Sequence, residues 1–272
     1  MASKSKASEA EHLIEIPEVS TGLVEFCLLG TSPYQSNIMS EKAKQELLNP
    51  GGKKTATEKA ANLKHNPLRE FRQSVAMDWA ADNYAITIPA AAFKRAIANA
   101  ALDAPGATKA QIGRLVWVLG DRVPLFGVPE LSMMIVRMND MTKTPDVRTR
   151  AMFKQWATVI RVQYIIGAIR PQGLANLLTL AGLTQGVGDG RPEKGKLSYG
   201  QFRIVPADDP EFLAIVRSAG REPQLRSLQT PTFYDDEARK LYEWFCASAH
   251  KRGFALDDSA FEATLAEVLK EN

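Results

Sequence analysis

Residues 180–204, LAGLTQGVGDGRPEKGKLSYGQFRI, decide how this chain is read. An apolar helical pattern gives way to glycines at 186, 188, 190, 195 and 200, with Arg191, Lys194 and Lys196 among them, and then to an aromatic, strand-like segment. Gly190 to Lys196 satisfies G-x-x-x-x-G-K, the opening of a phosphate loop, and the match stops there. The next position needs a hydroxyl for magnesium and holds Leu197, and the loop runs from helix to strand instead of strand to helix. With no helix N-terminus directed into it, a triphosphate has no amide cradle. Gly186, Gly188 and Gly190 give G-x-G-x-G in a setting equally wrong for a dinucleotide. What is left is a flexible basic strap, whose glycines let the backbone lie close to an extended polyphosphate while the cations supply charge.

The rest of the chain supports a globular protein. Its 272 residues are 45% hydrophobic, enough for a real core, and the formal net charge of +3 is unevenly spread. From Pro206 onward 13 acidic residues face 8 basic ones, so +8 falls on residues 1–205, where a polyanion would bind. The polar N-terminus and the lack of a long apolar run predict a soluble, cytoplasmic protein with no membrane partner. Cys27 and Cys246 lie far apart and fit reduced thiols; no metal-ligand spacing is present and no cofactor is implied. His12, His65 and His250 are isolated in sequence, and no catalytic residue is assigned.

Residues 21–30 predict a buried strand. A charged stretch over 40–73, with eight basic and four acidic residues broken by NPGG and NP, predicts two short helices around a tip carrying Lys53 and Lys54. Residues 84–88 predict a strand and Pro89 the first turn of a helix that buries Phe93 and Ile97, with Lys94 and Arg95 near its start, where they either meet a phosphate or are simply solvated. Strand-like runs follow at 114–119, 130–138 and 156–166; the last alternates Ile160, Val162 and Tyr164 against Arg161 and Gln163. They predict a sheet with a polar face carrying Arg137 and Arg161. Residues 139–156 read as a polar loop in which Arg148, Arg150 and Lys154 interleave with Phe153 and Trp156, the composition of a single-strand binding surface, or as a hairpin loop whose aromatics, Phe153 first, return to the core. A helix from Pro171 to Gly182 leads into the glycine loop, and the pattern after Pro206 is helical.

The order over 21–205 is βαββαβ with extra elements. The fold class is therefore α+β: an RRM-like (ferredoxin-like) core over 21–205, with an insertion at 35–75 and a loop at 139–156. An N-terminal segment, 1–20, precedes it, and an acidic helical appendage, 206–272, follows. An antiparallel sheet with two helices on one face leaves the other face free for binding.

A glycine-rich loop between the last helix and last strand of such a unit resembles the signature of the RAMP superfamily, the RNA-binding subunits of CRISPR effector complexes. ITIPAAAFKRAIANAA, 86–101, is similar to that family's strand-to-helix segment. The resemblance implies an RRM-like core, a thumb-like insertion and copies assembled side by side along a single strand. It implies that Lys94, Arg95, Gly186, Gly188, Arg191 and Lys194 touch the nucleic-acid backbone. Two departures stand out: Ala90, Ala91 and Ala92 replace frequent serines, and the loop carries more charge than is usual.

Together these features predict a non-catalytic protein that multimerises on single-stranded nucleic acid, RNA or DNA, alone or with other subunits of a ribonucleoprotein. Three alternatives stay open. One is an endonuclease using Asp78, Asp82 or Asp146; another is a phage or mobile-element protein that coats or anneals single-stranded DNA; the third is a purely structural assembly protein.

Overall fold

The computed structural model describes residues 18–49, 63–137, 145–195, 197–256 and 258–270. Lys53, Lys54 and Lys196 lie outside them, as does the tip of the insertion. Strand β1 (Thr21–Gly30) is the long central strand, and its alternating apolar residues become fully buried toward the C-terminal end at Leu28 and Leu29. It pairs along its whole length with β9 (Ala157–Ile165) and over its last four residues with β10 (Phe202–Val205), both antiparallel. With β5 (Val116–Val118) on the far side of β9, the sheet order is β10-β1-β9-β5. Ile160, Val162 and Tyr164 are buried while Arg161 is exposed, as the alternation predicts.

Helices α3 (Ala90–Ala100) and α5 (Pro171–Thr184) pack on one face of this sheet through Phe93, Ile97, Leu174, Leu177 and Leu178, all buried. Pro89 is the N-cap of α3 and the last residue of β4 (Ile86–Pro89), so it precedes the first helical turn. Around the buried Trp156, Tyr34 packs tilted at 5.5 Å and Phe202 edge-on at 6.4 Å, and Phe93 meets Phe202 edge-on at 5.7 Å. Each such ring contributes roughly 1.5–3 kcal/mol by leaving water.

Two smaller sheets correct the predicted strand grouping. In β11-β7-β8-β2, β7 (Glu130–Arg137) forms a hairpin with β8 (Pro145–Phe153), edged by β2 (Tyr34–Gln35) and β11 (Thr232–Phe233). Residues 145–153, expected as polar loop, are therefore strand, and Phe153 and Trp156 are fully buried, as the hairpin reading expects, which leaves neither ring to stack on bases. Arg137 and Arg161 stand on different sheets. The third sheet is β3-β4-β6, with β3 at Ala76–Met77 and β6 at Arg122–Leu125. Arg114 and Leu115 end helix α4 (Lys109–Leu115), opened by a Thr108–Gln111 capping box, so the strand there starts at Val116.

The insertion holds α1 (Glu41–Leu48), capped by Ser40, and α2 (Pro67–Gln73), capped by Asn66 with Pro67 in its first turn. After β10 come α6 (Pro210–Ser218), α7 (Arg221–Gln229), α8 (Asp236–Lys251) and α9 (Ser259–Lys270). These helices are stitched into the body: Gln224 and Arg72 bond across the junction, and Phe212 and Ile215 of α6 pack with Leu29, Ala157 and Val205. The outer face of the main sheet is therefore covered by α6 at one end and is not wholly free. No described helix is long and apolar enough to cross a membrane.

Candidate nucleic-acid interface

The glycine loop is built, not slack. Backbone bonds tie Val187 N–H to Gly200 (2.9 Å), Asp189 N–H to Gln35 (3.0 Å) and Gly200 N–H to Pro33 (2.8 Å), and a short 3-10 turn spans Pro192–Lys194. At Gly188, φ is +84° and a Cβ would stand 2.5 Å from the Tyr34 ring and 2.6 Å from the Gln35 carbonyl. The glycines let the loop seat on strand β2 of its own chain, which corrects the expectation of a flexible strap whose open backbone lies along a ligand.

Between that loop and the start of α3 lies a cleft of about 290 Å³, walled by Ile38, Pro89, Ala91, Ala92 and the backbone of Gly186 and Gly188. Arg95 is exposed on its wall, and Lys94 is half-buried beside it. Arg191 lines the same cleft, where it donates to Glu193 (2.7 Å) and to the Gly188 carbonyl (2.8 Å) and so braces the loop. Lys194 is exposed at the end of the turn. Burial pushes the Glu193 carboxyl up, but the Arg191 hydrogen bond and the charges of Arg191, Lys194 and Arg95 outweigh it and hold it below the usual range. Asp189 accepts from Asn37 (2.9 Å) and pairs with Arg150 (3.9 Å).

Asn37 and Ile38 also wall a second cleft, of about 440 Å³, whose far side carries Lys64, His65, Arg148 and Arg150. Burial lowers the Arg150 pKa, with Asp189 opposing. Strand β8 places Arg148 and Arg150 two residues apart, hence on one face. The hairpin thus brings to the glycine loop two arginines that sequence separates from it by about forty positions, a span whose closure costs little more entropy than a shorter one.

Not every candidate converges. Arg161 lies on the outer sheet face opposite Glu25. Lys154 pairs with Glu130 (2.8 Å) and sits over the Tyr234 ring, away from both clefts. Arg137 ends β7, paired with Pro145. Of the acidic candidates for cleavage, Asp78 caps Ala80 N–H in a turn, Asp82 lines a separate cavity near Arg217 and Arg221, and Asp146 is paired with Lys64, His65 and Arg148. Burial raises the Asp146 carboxyl, but hydrogen bonding and charge from Lys64 and His65 outweigh it and hold its pKa below the ordinary value. Among the described residues no group of three or more His, Cys, Asp or Glu side chains is placed to hold a metal.

The sequence does not single out His65, Lys64 or Asn37. The partners of His65 are Glu70, five residues on, and Asp146, 81 residues away. Neither spacing is a motif, so the cluster exists only through the packing of α2 on β8.

No family model matches the chain, and no curated protein matches it. Among solved structures, the chain is similar to the crystal structure of Cmr6 from Pyrococcus furiosus at a TM-score of 0.35 and 10% identity, over 69% of this chain and 100% of that one.

Proposed function

We propose that this chain is a non-catalytic, RAMP-like protein that binds single-stranded nucleic acid and lines up in copies along the strand. The observation that carries the reading is the continuity of the two clefts, which share Asn37 and Ile38 and together present Arg95, Arg148, Arg150 and Lys64 beside the glycine loop. The sheet order β10-β1-β9-β5, with α3 ahead of β5 and α5 between β9 and β10, supports an RRM-like core. A strand laid in this track would meet cations spaced along its phosphates and binding that is only weakly selective for sequence. The first cleft also holds two carboxylates, Asp189 and Glu193, so it suits a sugar or base edge, while phosphates suit the cations around it.

The test is fluorescence anisotropy with short single-stranded RNA and DNA across a salt series, on the wild-type chain and on a Lys94→Ala/Arg95→Ala pair. These side chains stand on the helix surface, so the fold is expected to survive. Affinity is expected to fall by about tenfold, and the log–log salt slope by about one for each phosphate that is no longer neutralised. An unchanged slope and affinity would remove the α3 start from the interface. Cleavage of the bound oligonucleotide would replace the non-catalytic reading with the endonuclease. Sedimentation with oligonucleotides of increasing length checks the side-by-side assembly, which requires one further copy for each added site length.

A further inference from the structure

The second cleft has a charge balance that one side chain decides. Its walls carry Lys64, Arg148 and Arg150 against Glu46 and Glu70, and Asp146 sits beneath, paired with Lys64, His65 and Arg148. Among the described residues there, three cations meet three carboxylates. A neutral His65 leaves the cleft balanced, and a charged one leaves it with an excess of one positive charge. Asp189 faces Arg150 from the first cleft; with it counted, the cleft is one charge negative when His65 is neutral and balanced when it is charged, so protonation moves the balance by the same one charge toward accepting an anion.

The surroundings of the ring favour its charged form. Nδ1 lies 3.0 Å from Glu70 Oε1, and Nε2 lies 3.1 Å from Asp146 Oδ1. A neutral imidazole has one N–H and one lone pair, so it satisfies one carboxylate and turns its lone pair on the other. An imidazolium donates to both. The Glu70 hydrogen bond leads the effects that raise His65 above its ordinary 6.5; burial opposes it, and Asp146 adds to it.

Building on the clefts as a nucleic-acid track, we infer that the second cleft seats a backbone phosphate while His65 is protonated and releases it when the ring loses its proton. Protonated His65 occupies Glu70 and Asp146 together, and the arginines of β8 then face the phosphate. Without that proton, Asp146 is neutralised by Lys64 and Arg148 alone, and the cleft offers an incoming anion no net attraction. The folded-state pKa lies above the unfolded one, so the bridge from the loop before α2 to β8 is fully present below about pH 6.5 and is lost as pH rises through the raised value. Phosphate affinity falls in the same direction.

The experiment titrates a fluorescent single-stranded oligonucleotide at low salt, at about pH 6 and about pH 8, values that bracket histidine titration. The wild-type chain is expected to bind roughly tenfold more tightly at the lower pH, one pKa unit's worth of coupling. His65→Gln is expected to bind at both values as weakly as wild type does at the higher one, and His65→Arg as tightly as wild type does at the lower one. A pH dependence that survives in His65→Gln, with binding intact, overturns the inference and leaves the binding function standing. Failure of the wild-type chain to bind at any pH overturns both. Should the glutamine variant not fold, the ring resonances of His65 in the wild-type chain decide. Coupling is reciprocal, so bound oligonucleotide must raise the titration midpoint by about one unit, and an unmoved midpoint overturns the inference.

Discussion

Gly200→Ala is expected to cost about 4 kcal/mol of folding stability and to abolish oligonucleotide binding, at the upper end of single-residue effects. Gly200 has φ of +68°, and a Cβ there would stand 1.7 Å from the Val187 carbonyl oxygen, a backbone atom with no rotamer to escape into. The left-handed conformation alone costs a residue with a side chain about 1–2 kcal/mol. The rest comes from the shift that relieves the clash, because Gly200 both donates to Pro33 and accepts from Val187, and breaking each bond removes about 1 kcal/mol. Urea denaturation followed by circular dichroism checks it: the midpoint should fall at unchanged slope. Gly195 is the internal control. Its φ is +70°, but nothing lies within 4 Å of its missing Cβ, so Gly195→Ala should cost only the conformational strain and leave binding intact.

Gln224→Leu is expected to destabilise by about 3–5 kcal/mol, for a different reason. The side chain is fully buried on α7, where its oxygen accepts from Ala85 N–H (2.8 Å) and Ile86 N–H (3.0 Å). Its amide nitrogen donates to the carbonyls of Leu125 (2.6 Å), Gly127 (3.1 Å) and Ala219 (3.2 Å). Leucine fills much of the same volume and satisfies none of these groups, so the N–H groups of Ala85 and Ile86 and the carbonyls of Leu125 and Gly127 lose this partner away from water, while the Ala219 carbonyl keeps the Gly127 N–H (2.8 Å). The same urea titration gives the number. A loss below about 1 kcal/mol, the level of one ordinary hydrogen bond, would show that solvent reaches the junction.

What is legible in the sequence follows from how local the determining physics is. Strand β1 and helix α5 can be read because their apolar residues recur at the period of the element that forms, and β9 alternates faithfully. The helix continues past Gly182 to Thr184, since a glycine ends a helix only where the chain must turn left-handed, and here that happens at Gly186, φ +64°. Strand β8 reads as loop because its charged residues look solvated. Asp146 is buried on ion pairs on the face of Arg148 and Arg150, Thr149 and Ala151 are buried on the other, and both faces are buried from Ala151 to Phe153, so no clean apolar alternation is there to be read. The glycine loop shows from sequence that its backbone must be unusual, but not against what. Tyr34 and Gln35, which it seats on, lie about 150 positions earlier, as ladder pairing between distant strands allows. Arg191 reads from sequence as a solvated cation because exposed cations are the rule, and its pairing with Glu193 two residues on, within the cleft wall, is not a motif.

The central place of β1 in the main sheet carries a cost in time. Its partner β9 begins at Ala157, 127 residues after β1 ends at Gly30, and β10 comes later still. At about 5–20 residues per second, a growing chain completes the apolar strand some 6–25 s before its neighbour exists. Throughout that interval Leu28 and Leu29, which end fully buried, are a nascent segment with no ladder to join. Production of this protein is therefore sensitive to whatever shelters Thr21–Gly30 during synthesis.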